Sequence, residues 1–151
     1  MTNLKAMLSS RDMTWETPQD FFDELNKEFN FNLDPCASHE TAKCKYYYTK
    51  DEDGLTKDWG GSRVFCNPPY GTEIKKWVKK CYEESQKLDT VVVMLIPART
   101  DTQYFHNFIY KKPNVEIRFI KGRLKFGGKQ KGSGPAPFPS MVVVFNGNML
   151  K

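Results

Sequence analysis

Apolar residues recur along the chain with two different periods. Phe21, Phe22, Leu25 and Phe29 lie three to four residues apart, which predicts an amphipathic helix from Thr17-Pro18 to about residue 28. Thr17 is placed to cap that helix, and Pro18 suits its first position, where a missing N–H costs nothing. A short apolar stretch at 31–33 predicts a strand that stops at Asp34-Pro35, because proline cannot donate to a ladder. Residues 39–60 are polar and irregular, apart from Tyr46-Tyr47-Tyr48, a candidate short strand. A further strand at 63–66 runs directly into Asn67-Pro68-Pro69-Tyr70-Gly71.

From Thr72 onward, Ile74, Trp77, Val78, Cys81, Tyr82 and Leu88 line one face of a predicted helix. Residues 90–96 form an unbroken apolar run, the signature of a parallel strand covered on both faces. A helix over 101–110 and strands over 115–120 and 141–145 complete the pattern. Strands alternating with helices predict a right-handed α/β sheet of Rossmann-like type, mostly parallel. No helix separates the last two strands, so they are expected to pair antiparallel as an edge hairpin. Neither a repeat nor a linker interrupts the 151 residues, which predicts one domain over 1–151 with residues 1–14 flexible.

Composition narrows the function. No stretch approaches the roughly 20 apolar residues of a membrane span, and residues 1–14 hold no apolar signal core. A cytoplasmic protein with no membrane partner is expected. Cys36, Cys44, Cys66 and Cys81 contain no CxxC pair, a spacing poor for zinc, so no metal is expected. The net charge of +5 resides in one segment: Lys121, Arg123, Lys125, Lys129 and Lys131 stand with no acid among them. Without those five, 18 basic residues face 18 acidic ones. A localised basic patch reads as a phosphate contact, or as a solvated lysine-rich loop.

In open α/β sheets the ligand lies beyond the carboxyl ends of the strands. Three turns are expected there: Asp34-Pro35-Cys36-Ala37, Asn67-Pro68-Pro69-Tyr70 and Pro97-Ala98-Arg99-Thr100. The second has a specific chemical logic. An adenine exocyclic amine is a poor nucleophile because its lone pair is delocalised into the ring. Two acceptors, the Asn67 amide oxygen and the Pro68 carbonyl, would favour a pyramidal nitrogen. Proline stiffens the loop, and Tyr70 offers a face for a base flipped from the duplex. A plain turn, or a proline-rich docking peptide, are the simpler readings of the same residues.

The tetrapeptide Asn67-Pro68-Pro69-Tyr70 resembles the catalytic motif of amino-methyltransferases. The wider pattern resembles the small phage- and prophage-encoded DNA N6-adenine methyltransferases of the Dam type. It covers Trp15-Glu16-Thr17-Pro18, Leu33-Asp34-Pro35-Cys36-Ala37, Gly54-Leu55 through Asp58-Trp59, the catalytic turn, Pro97 through Thr102, and Gly122-Arg123-Leu124-Lys125-Phe126. The resemblance implies transfer of a methyl group from S-adenosylmethionine to adenine N6 in double-stranded DNA, in the host cytoplasm if the gene is a phage's. Direct in-line transfer is implied, with no covalent enzyme intermediate, no metal and no obligate protein partner.

The same resemblance implies cofactor contacts from Trp15, Thr17, Pro18, Asp34, Pro35 and Cys36, with Asp34 beside the cofactor's amino group. Asp58 would accept from its adenine amine, and Asp51 or Glu52 would hold the ribose. Trp59 and Phe126 would flank adenine rings, unless they are core aromatics. Arg99, Lys121, Arg123, Lys125, Phe126, Lys129 and Lys131 would contact DNA. Two departures stand out: no glycine follows the first strand, and the interval from Asp34 to Asn67 is short for βα units of roughly 25–30 residues. One or two strand–helix units of the usual sheet are therefore expected to be missing, and no separate target-recognition domain fits. A protein-glutamine or RNA methyltransferase, and a catalytically silent DNA-binding module, remain alternatives.

Overall fold

The computed structural model describes residues 14–127 and 134–147. Its elements in chain order are α1 (Gln19–Phe29), β1 (Leu33–Ala37), β2 (Tyr46–Thr49), a 3-10 turn (Gly54–Thr56), β3 (Arg63–Cys66), α2 (Ile74–Ser85), β4 (Val91–Pro97), α3 (Gln103–Phe108), β5 (Val115–Phe119) and β6 (Ser140–Phe145). The six strands form one sheet in the order β2-β1-β3-β4-β6-β5. Strands β1 to β4 pair in parallel, and β6 runs antiparallel between β4 and β5. The expected mostly parallel sheet with a C-terminal antiparallel hairpin is observed. Its abbreviation is visible too: no helix links β1 to β2, and only the 3-10 turn lies between β2 and β3.

Adjacent residues of β3 show how the layers are built, since neighbouring side chains point to opposite faces. Phe65 meets Phe22 of α1 edge-on at 5.1 Å, whereas the Cys66 thiol meets Cys81 of α2. Helix α1 therefore covers one face and α2 the other. Helix α3 packs on α2 through Phe108 and Tyr82. All seven residues of β4 and all six of β6 are buried, as their apolar runs require of central strands.

Several boundaries differ from the sequence expectation for physical reasons. Pro18, not Thr17, is the residue at the start of α1, and no side chain caps it; the Thr17 hydroxyl is engaged elsewhere. Asp34 and Pro35 lie inside β1 instead of ending it. The strand tolerates proline because its pairing with β3 is confined to Leu33 and Val64, and its register with β2 shifts between Asp34 and Ala37. Helix α2 starts at Ile74, two residues later than expected, and Leu88 lies beyond it with 59% exposure. Helix α3 is shorter than its predicted span, beginning after Thr102, whose hydroxyl accepts from the Phe105 N–H. The flexibility expected of residues 1–14 falls, except for Thr14, outside the described residues.

The segment between β2 and β3 is pinned from two sides. Trp59 is fully buried, donates its indole N–H to the Gly54 carbonyl at 3.0 Å and stacks near Trp77. The buried Glu84 carboxylate accepts from the Trp59 N–H at 2.6 Å and from Lys87 and Lys80. Burial works against that charge, but Lys87, the Trp59 amide and Lys80 outweigh it and hold Glu84 below its usual range. On the other side Gly54 presses on β1: a Cβ there would lie 2.0 Å from the Pro35 carbonyl oxygen. Gly54→Ala should therefore cost at least about 3 kcal/mol, a fall of roughly 6–12 °C in melting temperature by calorimetry. An unchanged melting temperature would show that the contact is not tight.

Candidate active site

Strand order reverses direction between β1 and β3: the chain passes from β1 outward to β2, then returns to the other side of β1. Ligands of open α/β sheets bind in the crevice at such a switch point. Here the crevice is widened because β1 and β3 separate after Leu33 and Val64. A cavity of about 940 Å³ opens there. Its walls are Asp34 to Ser38 of β1 and its exit, Thr49, Lys50 and Asp53 to Leu55 after β2, and Phe65, Asn67, Pro69 and Tyr70 of the β3 turn. Thr14 to Thr17 close one side, and Thr72, Glu73, Lys76 and Trp77 close another.

Asn67 sits at the centre of a hydrogen-bond network. Its amide nitrogen donates to the Trp15 carbonyl and, at 2.9 Å, to the Thr17 hydroxyl. Its amide oxygen accepts from the Tyr70 hydroxyl at 2.7 Å, which also lies 3.2 Å from the Leu95 carbonyl of β4. The two donors fix which end of the amide is oxygen, and one lone pair of that oxygen stays uncommitted. Pro68 is buried beside it.

Tyr70 is not an open platform. It is only 6% exposed, lies near-parallel to Trp15 at 6.4 Å, and meets the edges of Phe126 and Phe138 at 6.3 and 5.7 Å. Phe126 is buried in this cluster. The cluster is held by an antiparallel bridge between Glu16 and Gly127, with the Gly127 N–H donating to the Glu16 carbonyl at 2.9 Å. The β5–β6 connection is thereby tied across the Asn67–Tyr70 turn.

Asp34 is the buried carboxylate of the crevice. It accepts backbone N–H bonds from Cys36 at 3.3 Å and Lys43 at 3.1 Å. Desolvation nonetheless dominates those bonds and the Lys43 charge, and pushes its pKa up from 3.8 to about 6. Burial also raises the thiols, Cys44 to about 12 and Cys36 and Cys66 well above their ordinary value. These cysteines are thiols at neutral pH and poor nucleophiles.

The sequence-predicted residues divide, with Pro18 at the start of α1 and the buried Pro68 both outside the cavity lining. Trp15, Thr17, Asp34, Pro35, Cys36, Asn67, Pro69 and Tyr70 all line the cavity. Asp58 does not: its carboxylate is 79% exposed and bonded to Lys87 and the Gly60 N–H. Trp59 is core, and Glu52 turns back onto Thr49; neither Glu52 nor Asp51 lines the cavity. The acid that does is Asp53, held by its bond from the Leu55 N–H. Gly54 supplies the close backbone approach to β1 that no glycine after β1 could. Lys121, Arg123 and Lys125 are exposed, with Arg123 reaching the Ala136 carbonyl at 3.3 Å; Arg99 is exposed after β4. Lys129 and Lys131 lie outside the described residues. Phe138 and Asp53 escaped the sequence reading, because nothing local distinguishes them from loop residues.

A family model described as DNA N-6-adenine-methyltransferase (Dam) matches residues 3–148. The chain belongs to that family. A DNA N-6-adenine-methyltransferase of Haemophilus phage HP1 is 28% identical over 149 residues, covering 96% of this chain and 84% of the relative. One of Escherichia phage T1 is 32% identical over 97 residues, covering 63% of this chain and 40% of the relative. Among the described residues no helix is long and apolar enough to cross a membrane.

The elevated pKa of Asp34 makes a prediction for this family member. The folded state holds that proton more tightly than the unfolded chain, so its contribution to stability is lost as pH rises from about 4 to about 6. Asp34→Asn lacks this titration. Its stability relative to the parent, measured by urea unfolding, should rise by up to about 3 kcal/mol across that window and then level off. A pH-independent difference would count against the buried carboxylate.

Proposed function

We propose that this member of the family methylates adenine N6 in DNA with S-adenosylmethionine, using Asn67 as the acceptor that orients the target amine. The observation that carries the reading is the Asn67 amide, held in one orientation with one oxygen lone pair uncommitted, lining the same cavity as a buried carboxylate. The Pro68 carbonyl is the second acceptor. When bound, the cofactor supplies an electrophilic methyl group on a sulfonium.

The cavity fits that cofactor in size and charge. Sites for ligands of this class occupy roughly 300–1,000 Å³. Asp34, desolvated and short of a compensating cation, is suited to its amino group. Thr17, Pro35 and Cys36 line the same end, and Asp53 and Thr49 are placed for ribose hydroxyls. In this reading Asp53, not Asp58, Asp51 or Glu52, is the acid of the nucleoside end.

Tyr70 has two tasks. Its hydroxyl buttresses the Asn67 oxygen, and its ring receives the flipped adenine once the partly exposed Trp15 moves aside. Phe126 and Phe138 then wall the base, while Lys121, Arg123, Lys125, Lys129, Lys131 and Arg99 take phosphates. The chemistry runs in the cytoplasm, where the DNA is.

Two measurements test the reading. Asn67→Ala should lower N6-methyladenine formation, read by nucleoside mass spectrometry, by roughly 100- to 1,000-fold, as loss of one positioned group does elsewhere. Retention of full activity would remove Asn67 from the mechanism. Separately, calorimetric affinity for S-adenosylmethionine should be level just above pH 6.5 and fall about tenfold per unit well below pH 6, as Asp34 takes up its proton. Binding that is flat from pH 5 to 7.5 would detach Asp34 from the cofactor.

A further inference from the structure

A second cavity, of about 460 Å³, lies in the groove between α2 and α3. Lys75, Lys76 and Lys79 line it from α2, and Gln103, Tyr104 and Asn107 from α3. Lys75 and Lys79 are exposed and neither has an ion pair among the described residues. Lys76 has only a 3.4 Å contact with the exposed Glu73. Their spacing follows from the helix: Trp77, Val78 and Cys81 face the core, which sends residues 75, 76 and 79 outward together.

Tyr104 closes the floor of the groove: its residue is only 8% exposed and its hydroxyl lies beside that of Thr102. Three lysines and two side-chain amides line the rest, with no carboxylate among the lining residues. The groove therefore offers cations and amide donors to an anion with several oxygens.

Lys76 lines this groove and the catalytic cavity alike. The groove thus shares a wall with the cavity in which the proposed target base would sit. We propose that the α2–α3 groove is a phosphodiester-binding site for the DNA backbone flanking the flipped adenine, distinct from the basic segment of the β5–β6 connection. The proposal rests on the reading of DNA as substrate. It assigns the enzyme two cationic surfaces around the catalytic turn, one reached through Phe126 and the other through α2.

The test compares Lys75→Ala/Lys79→Ala with Lys111→Ala/Lys112→Ala, which removes equal charge from the turn before β5. Fluorescence anisotropy with labelled duplex DNA is measured over a salt series, with calorimetry of S-adenosylmethionine as control. The groove variant should lower the slope of log affinity against log salt by roughly two, about 0.9 per lost contact, with cofactor affinity unchanged. The Lys111/Lys112 variant should keep the parental slope. Equal slopes for the two variants would overturn the proposal, since only net charge would then matter.

If the parent itself neither binds nor methylates DNA, the substrate reading fails; if it does both and the groove variant matches it, only the groove proposal fails.

Discussion

The site depends on the orientation of one amide. Asn67 has two donors and an acceptor, and each is directed by a different part of the chain. Its nitrogen holds the residues that precede α1, through the Trp15 carbonyl and the Thr17 hydroxyl. Its oxygen meets Tyr70, whose hydroxyl reaches the carbonyl edge of β4. A carboxamide whose nitrogen is doubly anchored cannot flip without breaking both bonds. The amide oxygen is therefore oriented in advance, which is what the role proposed for Asn67 requires.

Around that amide the sheet arranges the remaining chemistry by what it leaves unpaired. β1 and β3 pair at a single register position and then part. Pro35 removes a donor that would otherwise keep them together, and the Asp34 carboxylate is left inside the gap, where the Lys43 charge does not offset its desolvation. Gly54 closes the far wall by bringing its backbone against the Pro35 carbonyl, and Glu84 holds that wall through Trp59. That end of the cavity thus draws its close packing from a loop beyond β2 instead of from a glycine turn after β1.

The legibility of the sequence follows the range of the interactions. The place of the Asn67–Tyr70 turn could be read because a strand, four contiguous residues and a helix start state it locally. The buried strands could be read because β4 and β6 are apolar throughout. Thr17 looked like a helix cap since a cap is the local use of a threonine before proline; its actual partner is distant in sequence. Asp34-Pro35 looked like a strand end because the proline rule assumes neighbours on both sides, and β1 has lost one of them there. Asp58 was legible as an acid near a tryptophan, but its ion pair with Lys87 depends on tertiary structure. The α2 lysines were masked by charge counting, which sets them against acids such as Glu84 that are committed to other partners.

Strand β6 has a further consequence, for the order in which the molecule can be assembled. It is inserted between β4 and β5, so both of those strands present open edges until residues 140–145 have been synthesised. An unpaired apolar strand such as β4 is prone to aggregate while it waits. The pairing of β4 with β6 also closes a long loop, which slows folding. The core, and with it the carbonyl of Leu95 that supports Tyr70, is completed only once residues 140–145 are in place. A chain cut short before residue 140 would carry Asn67-Pro68-Pro69-Tyr70 but lack the strand that covers the edge of β4.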